Sequence, residues 1–552
     1  MDSLFNLGFL YHHTQGRSEE ALDAYNLAAA MAQRLHSDHK LSLIHFRRGD
    51  LLKQQGWPDE AFTAYQQGIE SIEGLRGATE REDIKIGLLG TTQQLYEAMV
   101  LLCLERDRPE EAFDYVERAR SRAFLDTLAK KSPELYEAVD QPVATLREVQ
   151  AALPEGALLL EYFTTGVVPR GEHLLNKVPP ENARLREHLL LPPRVWLFAV
   201  ARDRFEVRQL ALDPNSLRPP VGDASPGRRL LHAPQLRLLH ERLIAPVAHL
   251  LAGRDLLYLV PHGPLHYVPF MALRSGAGGY LLDAEGPAIA LAPSATILLR
   301  NCLGRPPGRG AGLLALGYND RGEGALRYAE AEARHLARLA GGRAWAGPEP
   351  KGERLLAAGR QPRWLHVAGH AVFNPRDPLD SVLRLGDDDA LSARRIIEGL
   401  DLEAELVTLS ACTTGLSHVV PGDELLGLQR AFLYAGAPTV VCTLWEAHDL
   451  VALLVMERFY AALARGTPAA VALRDAQVAM REMTARDVDG AIGRWREEDP
   501  EYAAALGEPQ VIPSEGDDAR PFADPFYWAP FMLIGRPAGH QHASPPRSLA
   551  II

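Results

Sequence analysis

The spacing of hydrophobic residues divides the chain into an N-terminal part with helical periodicity and a longer C-terminal part with strand signals. From residue 1 to about residue 130, apolar side chains recur every three or four positions, and strand-like runs are almost absent. A short pattern returns there, with a turn, two acidic residues, an alanine and a large apolar residue. Its three copies read GRSEEALDAY, GWPDEAFTAY and DRPEEAFDYV, with alanines at Ala21, Ala61 and Ala112. This part is therefore predicted to consist of helical hairpins.

The recurring unit resembles a tetratricopeptide repeat, in which a small alanine permits close helix packing and a turn folds two helices into a hairpin. Stacked hairpins form a curved solenoid, and we expect its concave face to bind a regulatory protein partner. A plain helical bundle is the alternative interpretation. Residues 1–131 are assigned to this domain, and a linker is expected at 132–149.

Short apolar runs after residue 150 predict strands. From residue 254 onward they alternate with amphipathic helical segments such as 325–340 and 423–437. Such alternation predicts an α/β domain with a mostly parallel central sheet flanked by helices. The tail at 538–552 is expected to be flexible. The predicted strands are 158–163, 195–200, 255–261, 312–318, 364–370, 405–412, 439–445 and 526–535.

Composition and charge exclude several classes of protein. The net charge of the 552 residues is −12 and no long basic run occurs, so neither nucleic acid nor a membrane surface is an expected partner. The N-terminus lacks the features of a signal peptide, and no apolar run reaches the roughly 18 residues of a membrane span. Four scattered cysteines predict neither a disulfide framework nor a zinc site. We expect a cytoplasmic protein with free thiols, no metal and no cofactor.

Two of the predicted strands end in reactive residues, His370 and Cys412. Functional groups of open α/β sheets gather beyond the carboxyl ends of strands, so neighbouring strands would bring these two side chains together. A nearby imidazole converts a thiol into the nucleophilic thiolate. The pattern predicts Cys412 as nucleophile and His370 as base, with backbone N–H groups of Ala371 and Cys412 as an oxyanion hole. Taken singly, each residue is more typical of inert packing, and it is the pair that favours chemistry.

Other histidines and cysteines near these strands have less distinctive surroundings. His366 shares a strand face with His370 but lies deeper, and we interpret it as structural. His262 and His266 follow a strand in a segment rich in Pro and Gly, where they either pack the loop or line the cleft. Cys442 lies in the middle of a strand and is expected in the core.

Several acidic residues allow two interpretations. Asp423 and Glu424 either border the site or cap the helix that follows them. Asp377 and Asp380 lie in the segment after His370, where either one is able to orient the imidazole. No third catalytic residue is assigned.

Six motifs, taken in order, resemble the CHAT family, whose caspase-like domains occur with tetratricopeptide repeats and are relatives of caspases and separases. The resemblance places a peptidase domain at 150–537, with a pseudo-caspase-like part at about 150–300 and a catalytic part at about 301–537. The motifs are LPEGALLLEYF (153–163), LVPHGPLHYVPFMAL (259–273), WLHVAGHAVF (364–373), LVTLSACTTG (406–415), GDELLGLQRAFLYAGAPTVVCTLWEAHD (422–449) and DPFYWAPFMLIG (524–535).

The resemblance implies a cysteine endopeptidase that acts on a protein substrate through Cys412 and His370. The family pattern at the histidine reads His-Gly, whereas Ala371 follows His370 here. Glu446 and Asp449 match acidic positions that in separases help accept a basic residue before the cut. Asp449 is alternatively the start of a helix. With Asp423, these two residues form the candidate substrate pocket.

The resemblance further implies a role in bacterial defence or programmed cell death, with gasdermin-like pore formers as an example of a substrate. One alternative is a catalytically silent scaffold in which the repeats mediate protein–protein interaction. Another is a cysteine hydrolase or acyltransferase that acts on something other than a peptide. Labelling by a covalent cysteine probe separates the peptidase from the scaffold.

Overall fold

The computed structural model describes residues 1–78, 82–131, 143–167, 191–219, 228–283, 285–306, 308–320, 326–347, 352–372, 374, 378–412, 418–420, 424–498 and 516–537. Parts of the predicted linker and the whole predicted tail lie outside these ranges. The boundaries drawn from the sequence near residues 150 and 300 therefore stay predictions.

The described residues of the N-terminal part form six α-helices, and each helix contacts the next along the chain. The turns before the second, fourth and sixth helix contain Gly16, Gly56 and Asp107, whose φ angles are 63°, 79° and 55°. This left-handed backbone suits glycine and, among other residues, aspartate and asparagine. The helices are α1 Asp2–Leu10, α2 Ser18–Arg34, α3 Asp38–Gln54, α4 Pro58–Ala78, α5 Glu82–Glu105 and α6 Pro109–Lys131.

The hairpins pack in the way that the repeated sequence pattern predicts. The three alanines of the pattern are fully buried. Glycine in one helix of a hairpin faces tyrosine in the next: a Cβ atom added to Gly8 would lie 2.8 Å from the Tyr25 ring, and one added to Gly49 would lie 2.4 Å from the Tyr65 ring. The tetratricopeptide-like architecture is confirmed.

Replacing Gly49 with alanine is expected to destabilise the helical domain by about 1–3 kcal/mol, because the Tyr65 ring occupies the space of the new methyl group. Urea unfolding followed by circular dichroism measures this change. The control is Gly74→Ala in α4, where no atom lies within 4 Å of the added Cβ. That substitution is expected to stabilise the helix slightly. Equal effects of the two substitutions would contradict the packing argument.

In the part of the C-terminal region that the structure describes, thirteen strands form one mixed sheet in the order β10-β9-β8-β11-β14-β15-β5-β4-β1-β2-β3, with β6 pairing β8 and β7 pairing β6. Two further strands, β12 and β13, form a separate hairpin. The strands are β1 Ala157–Thr165, β2 Arg194–Ala201, β3 Arg204–Leu210, β4 Leu256–Val260, β5 Ala288–Leu291, β6 Leu313–Gly317, β7 Arg343–Ala346, β8 Trp364–Val372, β9 Val382–Arg384, β10 Ala390–Ser392, β11 Leu406–Cys412, β12 His418–Val420, β13 Glu424–Leu426, β14 Thr439–Thr443 and β15 Phe531–Gly535.

Helices flank this sheet, as the alternation of strand-like and helix-like segments in the sequence predicts. Residues of the sheet and of these helices form one continuous hydrophobic core, to which the last two hairpins of the repeat domain also contribute. The helices are α7 Leu146–Ala152, α8 Ala233–Leu243, α9 Ala329–Leu339, α10 Gly352–Ala358, α11 Ala393–Gly399, α12 Leu428–Ala435, α13 Asp449–Ala464, α14 Ala469–Glu482 and α15 Ala485–Glu498. The predicted fold class, a helical repeat region followed by a largely parallel α/β domain, is confirmed.

Strand direction reverses once in the middle of the sheet. β14 and β15 are antiparallel neighbours, whereas β15, β5, β4 and β1 are parallel to one another. The strands β14, β11, β8, β6 and β7 are likewise mutually parallel. The carboxyl ends of these two groups therefore lie at opposite edges of the sheet.

Three predicted elements differ from the structure. β8 continues to Val372 and pairs with β9, whereas the predicted strand ends at His370. The predicted helix 423–437 begins only at Leu428, because residues 424–426 pair with β12 and Gly427 is extended. The predicted strand 526–535 begins with a helical turn, Pro525–Trp528, capped by the Asp524 carboxylate, and only Phe531–Gly535 is strand.

The last repeat helix is bonded to the sheet through two buried charged side chains. The Arg120 guanidinium pairs with Glu161 of β1 at 3.0 Å and donates to the carbonyl oxygens of Pro261 and Pro293, which follow β4 and β5. The Glu117 carboxylate accepts the backbone N–H groups of Ala295 and Thr296 at 3.1 and 2.5 Å. The helical domain thus contacts the edge formed by the carboxyl ends of β1, β4 and β5.

Glu97 of α5 makes a further buried contact at this edge. Its carboxylate accepts the backbone N–H of Gly166, just after β1, at 2.9 Å. Burial raises the pKa of Glu97 to about 8. The folded protein therefore binds a proton at this site between about pH 4.5 and pH 8 that the unfolded chain releases, so its stability falls as the pH rises through that window.

The substitution Glu97→Gln is expected to stabilise the protein above pH 8 by more than about 1 kcal/mol, since the amide keeps an acceptor for Gly166 and carries no charge. Near pH 4.5 the two proteins should unfold at the same temperature, because the carboxyl group is then neutral in the fold. Thermal unfolding across the pH range tests this, with the exposed Glu19→Gln as control. A difference in melting temperature that does not change with pH would contradict the expectation.

Candidate active site

The two reactive residues singled out in the sequence lie on neighbouring parallel strands. β8 and β11 pair in a register that sets Cys412 directly opposite His370. Each residue is at or close to the carboxyl end of its strand, and His370 is partly exposed. The side chains of residues 411–426 lie outside the described part of the structure, so Cys412 is described by its backbone position. The fold thus brings the two positions together at one edge of the sheet.

Ala371, an expected oxyanion donor, continues β8 beyond the dyad. It pairs with Leu383 of β9 instead of entering a loop. Gly369, the residue before His370, lies close to the backbone of a neighbouring segment. A Cβ atom added to Gly369 would lie 3.4 Å from the carbonyl oxygen of Arg384. The histidine is therefore carried by a strand that is paired on both sides.

A buried polar network joins these two strands to the helices that cover them. His366 and Thr408 are partners in the β8–β11 register, four residues before the strand positions of the dyad. His366 Nε2 lies 2.9 Å from Glu332 Oε1 of α9, and the Tyr460 hydroxyl of α13 donates to Thr408 at 2.8 Å. All four side chains are at most 4% exposed. The structural interpretation of His366 agrees with this position.

A narrow cleft lies between the end of β11 and the first turns of α9 and α13. Its cavity volume is about 10 Å³, which is room for about one water molecule. Ser410, which lines it, precedes Cys412 by two residues and so shares a strand face with it. The cleft therefore opens beside the edge of the sheet where Cys412 and His370 are paired. Its lining consists of Leu326, Tyr328, Ala329, Glu332, Ser410, Ala447, Asp449 and Ala452.

Asp449 is the predicted pocket residue that the structure places in this cleft. It is the first residue of α13, which His448 precedes as N-cap, and its carboxylate accepts the backbone N–H of Arg327 at 3.0 Å. Burial and the nearby Glu332 carboxylate raise the pKa of Asp449, while the Arg327 N–H and the imidazoles of His448 and His370 oppose that rise. Asp449 thus begins the helix, one residue after the N-cap, and also lines the cleft, while its role in a substrate pocket stays a prediction.

Glu446, another predicted pocket residue, is not among the described residues that line the cleft. Glu446 is exposed. Asp423 lies outside the described residues, and Glu424 belongs to strand β13, so it does not cap α12. In contrast, Glu332, Ser410 and Tyr328 line the cleft and were not recognised in the sequence. The alternation of strand side chains would have identified Ser410, whereas nothing local marks the other two.

The remaining candidates are in structural surroundings. Asp380 pairs with Arg394 at 3.5 Å, and Asp377 lies outside the described residues. His262 is buried, and its Nδ1 accepts the backbone N–H of Thr164 at 3.0 Å. His266 is 8% exposed within a 3₁₀ turn. Both histidines pack their loop.

Three of the four thiols are in the core. Cys103, Cys302 and Cys442 are fully buried, as expected for Cys442, and burial raises the pKa of each thiol to about 12. These groups stay protonated and shielded near neutral pH. Among the described residues no group of three or more side chains is arranged to bind a metal ion. No described helix combines the length and the apolar character that crossing a bilayer demands.

Known proteins resemble this chain in sequence. A region of human tetratricopeptide repeat protein 28 is 26% identical over 360 residues, and its mouse counterpart is 27% identical over 310 residues. The alignments cover 55% and 45% of this chain but 13% and 12% of those much longer proteins.

Solved structures of cysteine peptidases are similar in outline. Separase in the Saccharomyces cerevisiae separase–securin complex aligns over 97% of this chain and 46% of its own, with 10% identity and a TM-score of 0.46. The Arg-specific cysteine proteinase gingipain R aligns over 56% of this chain and 68% of its own, with 8% identity and a TM-score of 0.33. These identities and TM-scores are too low to assign the reaction of either protein to this chain.

The family is established by sequence models of its domains. The tetratricopeptide repeat model matches residues 1–73, which contain the first two copies of the repeated pattern. The CHAT domain model matches residues 233–536, and this range includes five of the six motifs, those from 259 onward. Because that match covers more than half of the chain, the protein belongs to the CHAT domain family and carries tetratricopeptide repeats at its N-terminus.

Proposed function

We propose that this protein is a cysteine endopeptidase in which Cys412 is the nucleophile and His370 the general acid–base. The observation that supports it is the β8–β11 register, which pairs the two positions at the carboxyl ends of parallel strands. A second support is that the other three thiols are buried and protonated, which leaves Cys412 as the candidate for a reactive cysteine.

In the proposed reaction, the Cys412 thiolate attacks the scissile carbonyl carbon and forms a tetrahedral intermediate. Backbone N–H groups of Ala371 and Cys412 are the candidate donors to its oxyanion. Collapse of the intermediate breaks the C–N bond as His370 protonates the leaving amine, and a thioester remains. Water, deprotonated by His370, then hydrolyses the thioester and regenerates the thiol.

The substrate is proposed to be a protein with a basic residue before the cut. Asp449 supports this, because its carboxylate lies in the cleft beside the dyad edge and within electrostatic range of His370. Glu446, which is exposed, is a secondary candidate at the rim, and Asp423 stays a prediction.

The repeat domain is proposed to bind a regulatory protein on its concave face, since stacked helical hairpins commonly do so. A cytoplasmic role in bacterial defence or cell death, including cleavage of gasdermin-like proteins, belongs to the same proposal and follows from the family resemblance.

Proteome-wide profiling of new protein N-termini tests the activity. Lysates are treated with the full-length protein or with its Cys412→Ala variant, and cleavage sites that require Cys412 are collected. In parallel, the folded protein is treated with iodoacetamide and mapped by peptide mass, and we expect label at Cys412 with Cys103, Cys302 and Cys442 protected. Identical N-termini from both proteins, together with an unlabelled Cys412, would favour the catalytically silent scaffold.

A further inference from the structure

The narrow cleft at the end of β11 is lined by two buried hydroxyl groups. Tyr328, the N-cap of α9, is 3% exposed, and its hydroxyl has no hydrogen-bond partner among the described residues. The Ser410 hydroxyl is also buried and lacks a partner in the described part of the chain. Buried polar groups are rarely left unpaired, because desolvation without a hydrogen bond is costly. The two hydroxyls therefore indicate a ligand in the cleft.

The direction of the Ser410 side chain follows from its strand. Ser410 and Thr408 are two residues apart on β11 and share a face, and Thr408 bonds to Tyr460 of α13 on that side. Ser410 therefore faces the helices that cover the sheet, between the buried network and the position of Cys412. A ligand bonded to the Ser410 hydroxyl joins this end of β11 to those helices.

Two carboxylates supply hydrogen-bond acceptors to the same cleft. One oxygen of Asp449 accepts the backbone N–H of Arg327, and one oxygen of Glu332 lies 2.9 Å from His366 Nε2. Each carboxylate retains its second oxygen as an acceptor. The lining of the cleft thus combines two hydroxyl donors with two carboxylate acceptors.

The size of the cleft restricts its ligand. The cavity volume of about 10 Å³ accommodates one water molecule and excludes an amino-acid side chain or a phosphate group. Water has two O–H donors and two lone pairs, so it complements two acceptors and two donors. We propose that the cleft binds one ordered water molecule, which bridges Tyr328, Glu332, Ser410 and Asp449 and connects the strand that ends at Cys412 to α9 and α13.

The proposed water extends the buried polar network of β8 and β11. Glu332 belongs to both, because one of its oxygens contacts His366 and its side chain lines the cleft. Hydrogen bonds then run from His366 through Glu332 and the water to Ser410, two residues before Cys412. A substrate side chain reaches Asp449 through this cleft only if the cleft widens and the water leaves. The water site itself does not depend on the proposed peptidase function.

The sign of a stability change tests the water site. Removing a hydroxyl that faces a dry cavity is neutral or favourable for folding, whereas removing one that bonds to a buried water is unfavourable. We expect Tyr328→Phe and Ser410→Ala each to lower the folding equilibrium constant of the full-length protein about fivefold in urea unfolding. A constant that rises or stays unchanged in either variant would overturn the proposal. If Ser410→Ala does not fold, Tyr328→Phe decides alone.

Two comparisons assign the effect to one shared molecule. The matched control is Tyr258→Phe in β4, since Tyr258 is buried and its hydroxyl also lacks a partner among the described residues, but it does not line the cleft. This control should not lower the folding constant. The double variant of Tyr328 and Ser410 should lose less than the product of the two single effects, because both hydroxyls bind the same water. Fully multiplicative losses would contradict a shared ligand.

A high-resolution crystal structure of the full-length protein tests the site directly. We expect one water within hydrogen-bond distance of the four side chains, and its loss in the double variant. An empty cavity would overturn the proposal. A cation at the site, recognised by contacts shorter than hydrogen bonds, would overturn it as well.

Discussion

Replacing His370 with alanine is expected to lower kcat/KM for a cleaved peptide at least about 1000-fold, the usual scale for loss of a general acid–base that works as a unit with its nucleophile. The physical reason is the β8–β11 register, which sets the imidazole-bearing residue opposite Cys412. Without the imidazole, the thiol is less ionised and the leaving amine departs unprotonated. The measurement uses a peptide taken from the profiling experiment.

A second readout distinguishes this chemistry from unfolding. The rate at which iodoacetamide alkylates Cys412 reports the thiolate, and in His370→Ala its pH dependence should move towards that of an ordinary thiol near pH 8.5. The control is the exposed His232→Ala, which should change neither cleavage nor alkylation. If His370→Ala cleaves peptides at a rate within tenfold of the unmodified protein, His370 is not the acid–base.

Local patterns of hydrophobic residues were sufficient to predict the elements at the centre of the fold. Strands β4, β6, β8, β11 and β14 are short apolar runs buried on both faces, and such runs are recognisable without any knowledge of their neighbours. The repeat helices were equally visible, because buried Ala21 and Ala61 recur with the same turn before them. The positions of His370 and Cys412 at strand ends followed from these elements.

Elements at the margins of the sheet were missed, since their strand character depends on partners. β3 is largely exposed and its sequence, RFEVRQL, is mostly polar. It nevertheless pairs along its whole length with β2. β9 and β10 have three residues each and become strands only by pairing with β8 and with each other. Such edges carry too little hydrophobic pattern to be identified from sequence.

The candidate pocket shows the same limit for function. Asp449 lies near Cys412 in sequence and belongs to a family motif, so it was found. Tyr328 is the N-cap of α9 and Glu332 lies in its first turn, roughly eighty residues before Cys412, and their surroundings in the sequence resemble those of an ordinary helix. Only the packing of α9 on β6, β7, β8 and α13 brings them to the cleft. When a site is assembled from several elements, the sequence predicts each element separately and does not predict how their residues come together.

Replacing Arg120 with methionine is expected to lower the free energy of unfolding by about 3–5 kcal/mol, because it leaves the Glu161 carboxylate buried without its ion-pair partner. The two side chains are 1% and 0% exposed and lie 3.0 Å apart. Burial and the neighbouring Glu117 carboxylate raise the pKa of Glu161, and Arg120 opposes this rise. Arg360→Met is the control, because Arg360 and its partner Asp401 are 67% and 56% exposed, and loss of this surface pair should cost about 1 kcal/mol or less.

A double substitution then separates the ion pair from the other bonds of Arg120. The guanidinium also donates to the carbonyl oxygens of Pro261 and Pro293, which lie after β4 and β5. If the unpaired Glu161 charge dominates the cost, Arg120→Met with Glu161→Met should recover most of the lost stability in urea unfolding. If the carbonyl bonds dominate, the double variant should be no more stable than Arg120→Met. We expect the first result, since an uncompensated buried charge costs more than two neutral acceptors that lose a donor.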